Sequence, residues 1–356
     1  MIPSPAIIVP SMRPVEIIGG GLSGLSLGLA LRRAAIPVTL HEAGTYPRHR
    51  VCGEFIAGLD PATVAKLGLE PFLSDVLRHT EVAWFQRDSL QRRQTLPAPA
   101  FAIGRHVLDQ RLATAFIAAG GDLRTRSRID LKDSPPGRIF AQGRRATTGS
   151  PWLGLKCHAR GLTLSAPLEL HLGEHAYVGL CELPDGQVNV SGLFRQRSGL
   201  ALDRATALPA YLRAAGLDAL ASRLASADID ADSRCAVAGL AFGRAPQSNA
   251  VSSAPRRLVL GDAFALIPPF TGNGMAMAFQ SAALALDPLI AWSHGDAGWP
   301  ATVAKIDCLV RARFRMRLAA SSLLHPALLR PLGQRALTST ARRNLLPLNP
   351  LYHILH

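Results

Sequence analysis

The chain is short of several things, and each shortage excludes something. Cysteine is scarce: five in 356 residues, at Cys52, Cys157, Cys181, Cys235 and Cys308, with no CxxC spacing. An odd, scattered set excludes a disulfide framework and a zinc ribbon, and fits a reduced, cytoplasmic setting. Lysine is nearly absent, at Lys66, Lys132, Lys156 and Lys305, so arginine supplies most of the 39 basic residues. Aromatic residues make up only 6%. A basic excess without interleaved aromatics or a known binding motif argues against nucleic acid as a partner. No uninterrupted apolar run reaches the roughly 18–20 residues that would span a bilayer. The opening MIPSPAIIVPSMRPVEII has an apolar patch with no basic segment before it, and reads as a short disordered lead-in rather than a signal peptide. Internal repeats and low-complexity tracts are also missing.

What is present is a globular composition. Hydrophobic residues reach 48% and charged residues 18%, with 31 glycines, 26 prolines and a formal charge of +14. The length suits about two domains or one composite one.

Val15-Glu16-Ile17-Ile18 reads as a buried strand, Leu22 to Ala35 as a helix and Pro37 to Glu42 as a second strand. Between strand and helix stands Gly19-x-Gly21-x-x-Gly24, the dinucleotide fingerprint in its proper context. The first glycine permits the tight turn, the second admits a pyrophosphate to the backbone, and the third lets the helix pack on the strand. The helix start offers free N–H groups and a positive dipole end, and Ser23 reads as a phosphate-loop residue. Glu42 ends the second strand, where a carboxylate accepts ribose hydroxyls. Helices are further expected near 61–78, 107–119, 203–227 and 275–290, strands at 122–130 and across 151–195, and mostly helix over the last 50 residues.

Arg257-Leu258-Val259-Leu260-Gly261-Asp262-Ala263, followed by Pro268-Pro269-Phe270-Thr271-Gly272-Asn273-Gly274-Met275, resembles the second FAD motif of the aromatic-ring hydroxylase and geranylgeranyl reductase superfamily. The resemblance implies that Asp262 binds the ribityl chain. It also implies that Gly272, Asn273, Gly274 and Met275 bring backbone N–H groups and a helix start to the flavin pyrimidine edge, where reduced flavin carries negative charge. Gly104-Arg105-His106-Val107-Leu108-Asp109 is similar to the helix start whose arginine, here Arg105, reaches the cofactor. Ala141-Gln142-Gly143 stands where hydroxylases carry Asp-Gly, with Gln142 as the departure and Gly143 kept. Arg48-His49-Arg50-Val51-Cys52-Gly53-Glu54 resembles a segment of the reductase branch that places Cys52 and Gly53 near the flavin. Arg50 then contacts cofactor or substrate anion, or is a solvated loop arginine. Cys52 either packs the loop or orients substrate.

The implied fold class is α/β: a Rossmann-type FAD-binding fold (GR2-type) with an inserted antiparallel β-sheet substrate region and a helical C-terminus. The expected boundaries are 12–80, 100–150 and 250–300 for the FAD-binding part, 81–99 and 151–249 for the β-rich part, and 301–356 for the tail. The implied activity is an FAD-dependent oxidoreductase, transiently reduced by NAD(P)H. In the reductase branch it acts on an unsaturated lipidic or polyketide-like substrate, with Cys52, Glu54 and Tyr177 as acid or positioning candidates. Gln142, and Ala265 where many hydroxylases have histidine, favour that branch. The alternatives are a group A-type monooxygenase hydroxylating an aromatic substrate through a C4a-hydroperoxide, a flavin-dependent halogenase (which lacks support from any Trp-x-Trp-x-Ile-Pro segment), and a flavoprotein that only docks.

No metal site is expected. His171-Leu172-Gly173-Glu174-His175 matches a zinc-protease pattern but follows an alternating strand, whereas that chemistry needs both histidines on one helical face. After Asp307 no acidic residue occurs, while residues 308–356 carry eight arginines among leucines. Such a basic amphipathic tail suggests an acyl carrier protein or an anionic membrane surface as partner, or else a helix packed on the domain with a solvated basic face.

Overall fold

The apolar strand β1 (Val15–Ile18) pairs in parallel with β2 (Val38–His41) across the helix α1 (Leu22–Arg33), closing the expected βαβ unit. The computed structural model describes residues 12–143, 146–200, 203–244, 257–343 and 348–355. The lead-in at 1–11 and the arginines at 144 and 145 lie outside the described residues.

After β2 the chain forms β3 (Phe55–Ile56), the short helices α2 (Pro61–Leu67) and α3 (Glu70–Leu73), and the long hairpin β4 (Leu77–Gln86) and β5 (Ser89–Ala102). Next come α4 (Arg105–Ala118), β6 (Asp122–Arg124) and β7 (Arg138–Phe140). A run of strands follows: β8 (Trp152–Arg160), β9 (Leu168–Gly173), β10 (Ala176–Glu182) and β11 (Val188–Arg195). The remainder is α5 (Ala207–Ala214), α6 (Asp218–Ala225), β12 (Asp228–Ala238), β13 (Gly243–Arg244), β14 (Leu258–Val259), β15 (Ala265–Leu266), α7 (Gly274–His294), α8 (Trp299–Leu329), α9 (Pro331–Arg342) and α10 (Leu348–Leu355).

Two sheets organise the molecule. A five-stranded parallel sheet runs β14-β7-β1-β2-β6. Its central strands are buried on both faces, as parallel sheets require. An eight-stranded sheet runs β12-β8-β11-β10-β9-β4-β5-β3. It is antiparallel except at β4–β9, which pair in parallel. That pairing departs from the expected wholly antiparallel sheet. The chain between β4 and β9 crosses into the parallel sheet and back, and such a long crossover can return in the same direction.

Glycines set two other departures from the expected elements. The stretch expected as one helix over 61–78 breaks at Gly68, which takes the left-handed conformation at φ 60°. Likewise 203–227 splits into α5 and α6 around Gly216. The strand expected at 122–130 spans only Asp122–Arg124. Among the described residues one helix, α7, is long and apolar enough to cross a membrane, but 67% of its apolar window is buried inside the fold, against α1 among other elements.

Candidate functional site: a cavity between the two sheets

A cavity of about 950 Å³ runs from the Gly19–Gly24 turn to the face of the eight-stranded sheet. At the turn its wall is backbone. A side chain on Gly19, which sits at φ 113°, would collide with the Ala141 backbone, and one on Gly24 would strike the Gly19 carbonyl. These glycines thus bring β1, β7 and α1 into contact. Gly21, Gly143 and Gly274 do something else: their missing side chains would point into open cavity, Gly21 toward only the Arg105 guanidinium at 3.6 Å, and the other two toward nothing within 4 Å.

Arg105 opens α4 and its Nε bonds the buried Asp109 carboxylate at 2.7 Å. Burial alone would lower this guanidinium, but Asp109 and other anions raise it, so it stays charged. Arg50 reaches the same carboxylate through Nε at 3.4 Å and Glu42 through Nη2 at 3.4 Å. Two fixed cations beside a glycine turn and the start of α1 make an anion-binding cradle. At the other end α7 begins at Gly274, also on the cavity wall, with Met275, Gly272 and Asp262 beside it. The site therefore fits FAD: open backbone and two arginines for the pyrophosphate, and a helix start for the flavin ring.

Several of the expected residues make hydrogen bonds within the fold. Glu42 lines the cavity, yet its Oε2 already accepts the Gly20 N–H at 3.0 Å and its Oε1 the Gly44 N–H at 2.8 Å. Only its remaining lone pairs can meet a ribose. The Ser23 hydroxyl donates to the Ala278 carbonyl at 2.7 Å and lies 3.2 Å from Ser281 Oγ. It ties α1 to α7, so only its backbone suits a phosphate. Asn273 is fully buried and does not line the cavity; its amide donates to the Leu355 carbonyl in α10. Gly53 and Cys52 line the cavity on the 47–53 loop. Burial pushes the Cys52 thiol up, partly opposed by Arg105, so it stays a thiol at neutral pH. Tyr177 also lines the cavity and lies beside the Phe270 backbone; burial raises its phenol well above the usual range, so it remains a proton donor.

Glu54, expected as a catalytic candidate, faces away from the cavity. It is wholly buried at φ 58°, and both carboxylate oxygens are engaged. Oε1 accepts Lys156 Nζ at 2.5 Å and the Arg105 N–H at 2.8 Å, and Oε2 meets His158 Nε2 at 2.6 Å. Burial alone would raise this carboxyl, but the His158 hydrogen bond and the Lys156 charge outweigh it and bring it to about 2. Glu54 is thus the hub that fixes the 47–53 loop, α4 and β8 together.

Sequence reasoning missed Lys156, His158 and Asn189. In β8 the residues Leu153, Leu155, Cys157 and Ala159 pack under α5 and α6. The intervening Lys156 and His158 face the other way, an alternation readable in LKCHA. Asn189 Nδ2 donates to the Cys52 carbonyl at 3.0 Å, steadying the loop from β11. His49 and His106 also gather here. Burial, with the His106 charge next, lowers His49 to about 4. The discounted zinc-protease pattern is on β9 and its turn, with His171 held by Glu169 at 2.9 Å and stacked on Phe85.

Along the eight-stranded sheet the cavity is lined by Trp84, Leu168, Leu170, Leu193, Phe242 and Phe270, with the polar Gln94, Arg204, Asp232 and Arg234 also on its wall. The C-terminal helices complete it through Leu324, Leu328, Leu337, Tyr352 and Leu355.

No protein-family model matches the chain, and no curated protein matches its sequence. Its fold, however, has many counterparts among solved structures. Solved structures with this fold include flavin-dependent enzymes. PqsL of P. aeruginosa, solved with 2-aminobenzoylacetate, aligns over 95% of this chain and 99% of its own, with TM-score 0.71 and 14% identity. The flavin-dependent brominase Bmp2 aligns over 96% and 92%, with TM-score 0.71 and 15% identity. The p-nitrophenol 4-monooxygenase PnpA of Pseudomonas putida DLL-E4 aligns over 97% of both chains, with TM-score 0.71 and 14% identity.

Proposed function

We propose that the protein is an FAD-dependent monooxygenase, reduced transiently by NAD(P)H, that oxidises a small and largely apolar aromatic substrate. The observation that carries this reading is one continuous cavity joining an anion cradle and a helix start to an aromatic wall. The monooxygenase neighbours favour it over the reductase-like alternative that the sequence suggested, and Gln142 and Ala265 no longer decide between them.

FAD supplies the redox chemistry with dioxygen when bound. The chain's own residues do the rest. Arg50 and Arg105 would hold the pyrophosphate, and the α7 N-terminus would offset negative charge on the flavin pyrimidine edge. Trp84, Phe242 and Phe270 enclose substrate in an apolar wall that excludes water. Tyr177, kept protonated, donates a hydrogen bond to a polar group on the substrate. Cys52 packs the loop over the cofactor as a neutral thiol.

The test is rapid mixing of the NAD(P)H-reduced holoenzyme with oxygenated buffer. A transient absorbance, distinct from both reduced and oxidised flavin, before reoxidation is the expected result. Featureless reoxidation, with hydride consumed by an unsaturated substrate, overturns it in favour of a reductase.

The basic tail serves this cavity first, since its apolar residues build the wall. At the α8–α9 corner, Leu323 (79% exposed) and Leu332 (78%) stand beside exposed Arg330 and Arg335. We propose an anionic membrane surface as the partner of this corner. Sedimentation with anionic but not zwitterionic vesicles supports it, whereas binding to an acyl carrier protein alone overturns it.

A further inference from the structure

We propose that His49, His106 and His158 form a site for one borderline divalent transition-metal ion, with Zn²⁺ as the reference ion. The site lies behind the 47–53 loop, on the Glu54 side of the cavity wall, and does not depend on the flavin reading.

Three separate elements contribute: the loop, the first turn of α4 and the middle of β8. One ring nitrogen of each histidine lies within 4.8 Å of those of the other two. The ring centroids are 4.0 Å apart for His49–His106, 5.1 Å for His49–His158 and 5.6 Å for His106–His158. Nδ1 of all three is buried with no hydrogen-bond partner. Leaving one such buried polar atom unsatisfied costs about 1–3 kcal/mol, and here each of three neighbouring rings has one.

His158 is the decisive ring. It is fully buried, and its Nε2 is 2.6 Å from Glu54 Oε2. A carboxylate already paired with Lys156 accepts and does not donate. Nε2 therefore carries a proton, which leaves the unpartnered Nδ1 as the nitrogen free to bind an ion. This is the carboxylate–histidine arrangement that orients a metal ligand and raises its basicity. Three imidazoles suit Zn²⁺, Cu²⁺, Ni²⁺ or Fe²⁺ and not Ca²⁺ or Mg²⁺, which demand oxygen ligands.

The geometry needs a small closure. Zn–N bonds of about 2.0–2.1 Å at tetrahedral angles put ligand nitrogens about 3.4 Å apart. His49 and His106 are half-buried, and their rings can turn toward the fixed His158. Water takes the fourth position. Lys156 on the far oxygen of Glu54 opposes a second cation and keeps the affinity below that of a site with an unshared carboxylate. Since His106 and His158 do not line the cavity, the ion acts as a clamp. It ties the loop bearing Arg50, Cys52 and Gly53 to α4 and β8.

The experiment uses the full chain as purified, stripped by chelator and titrated with Zn²⁺ in equilibrium dialysis, with Co²⁺ as the spectroscopic probe. One ion per chain is expected, with visible d–d bands of a four- or five-coordinate Co²⁺. His49→Ala and His106→Ala each weaken Zn²⁺ by at least about tenfold, as does Glu54→Gln through His158. His294→Ala, at an exposed helix end, leaves binding unchanged. His158→Ala risks misfolding, so the two half-buried histidines carry the test. No saturable Zn²⁺ uptake, or uptake indifferent to both His49→Ala and His106→Ala, overturns the proposal.

Discussion

Around the Gly19–Gly24 turn the cavity is walled by closely packed backbone, with Gly19 set against Ala141. Across from it, the loop bearing Cys52 is held by side chains far away in sequence: Glu54 meets Lys156 across 102 positions and His158 across 104, and Asn189 reaches the Cys52 carbonyl across 137. The first region works by leaving atoms out. The second works by pairing buried charge. A backbone cradle tolerates little change in shape, whereas a buried ion pair tolerates little change in charge.

The sharpest way to break the comparison is Glu54→Ala. It strands the fully buried Lys156 ammonium without its partner, and truncating one member of a buried pair costs about 3–5 kcal/mol. Denaturant melts should show that loss; a loss below about 1 kcal/mol would mean that the pair behaves as if solvated. Acid should probe the same pair. The Glu54 carboxyl sits at about 2, below its ordinary 4.5. Its contribution is therefore complete above 4.5 and disappears as the pH falls from there through 2.

Gly19→Ala comes next. It places a methyl group against the Ala141 backbone at a φ of 113°, and about 2–4 kcal/mol of stability should go with it. FAD affinity measured by dialysis should fall as well. An unchanged melt and unchanged flavin content would show that the turn relaxes freely. Arg105→Ala removes one of the two cations over the turn, and loss of a charged hydrogen bond of about 1.5–3 kcal/mol should weaken FAD by tenfold to hundredfold. Equal affinity would remove Arg105 from the cofactor site.

The gentler changes fall on the substrate side. Tyr177→Phe should keep flavin content and stay within about 1 kcal/mol in stability, while lowering turnover. If flavin loss appears instead, the phenol belongs to the cofactor. A pH-dependent effect on the same side concerns His325, buried among Trp152, Tyr177, Phe242 and Phe270 and lowered by burial to about 4. Because the folded state resists its protonation, stability should decline as pH drops from 6.5 toward 4. His325→Leu should flatten that slope in thermal melts.

The same contrast explains what could be read in advance. The βαβ unit, the glycine turn and the α7 start rest on local patterns, so the sequence reveals them directly. Glu42 and Ser23 fall where their motif puts them, but their hydrogen bonds go to Gly20, Gly44 and Ala278. Which polar group wins a nearby carboxylate or hydroxyl depends on packing that a motif does not encode. Glu54 misled for the opposite reason: a carboxylate beside a cofactor loop looks catalytic until Lys156 and His158 arrive from β8. The three-histidine cluster was hidden because its members are spread over more than a hundred positions, while the contiguous His171–His175 pattern drew attention instead.

The central claim is that the cavity holds a dinucleotide flavin, with its pyrophosphate on the Gly19–Gly24 turn and its ring at the α7 start. Titrating the flavin-stripped protein with FAD and, separately, with FMN tests it most directly. Saturable binding of one FAD per chain is expected, with much weaker binding of FMN, which lacks the adenosine half and the second phosphate. Equal affinity for the two, or no binding of either, would contradict it.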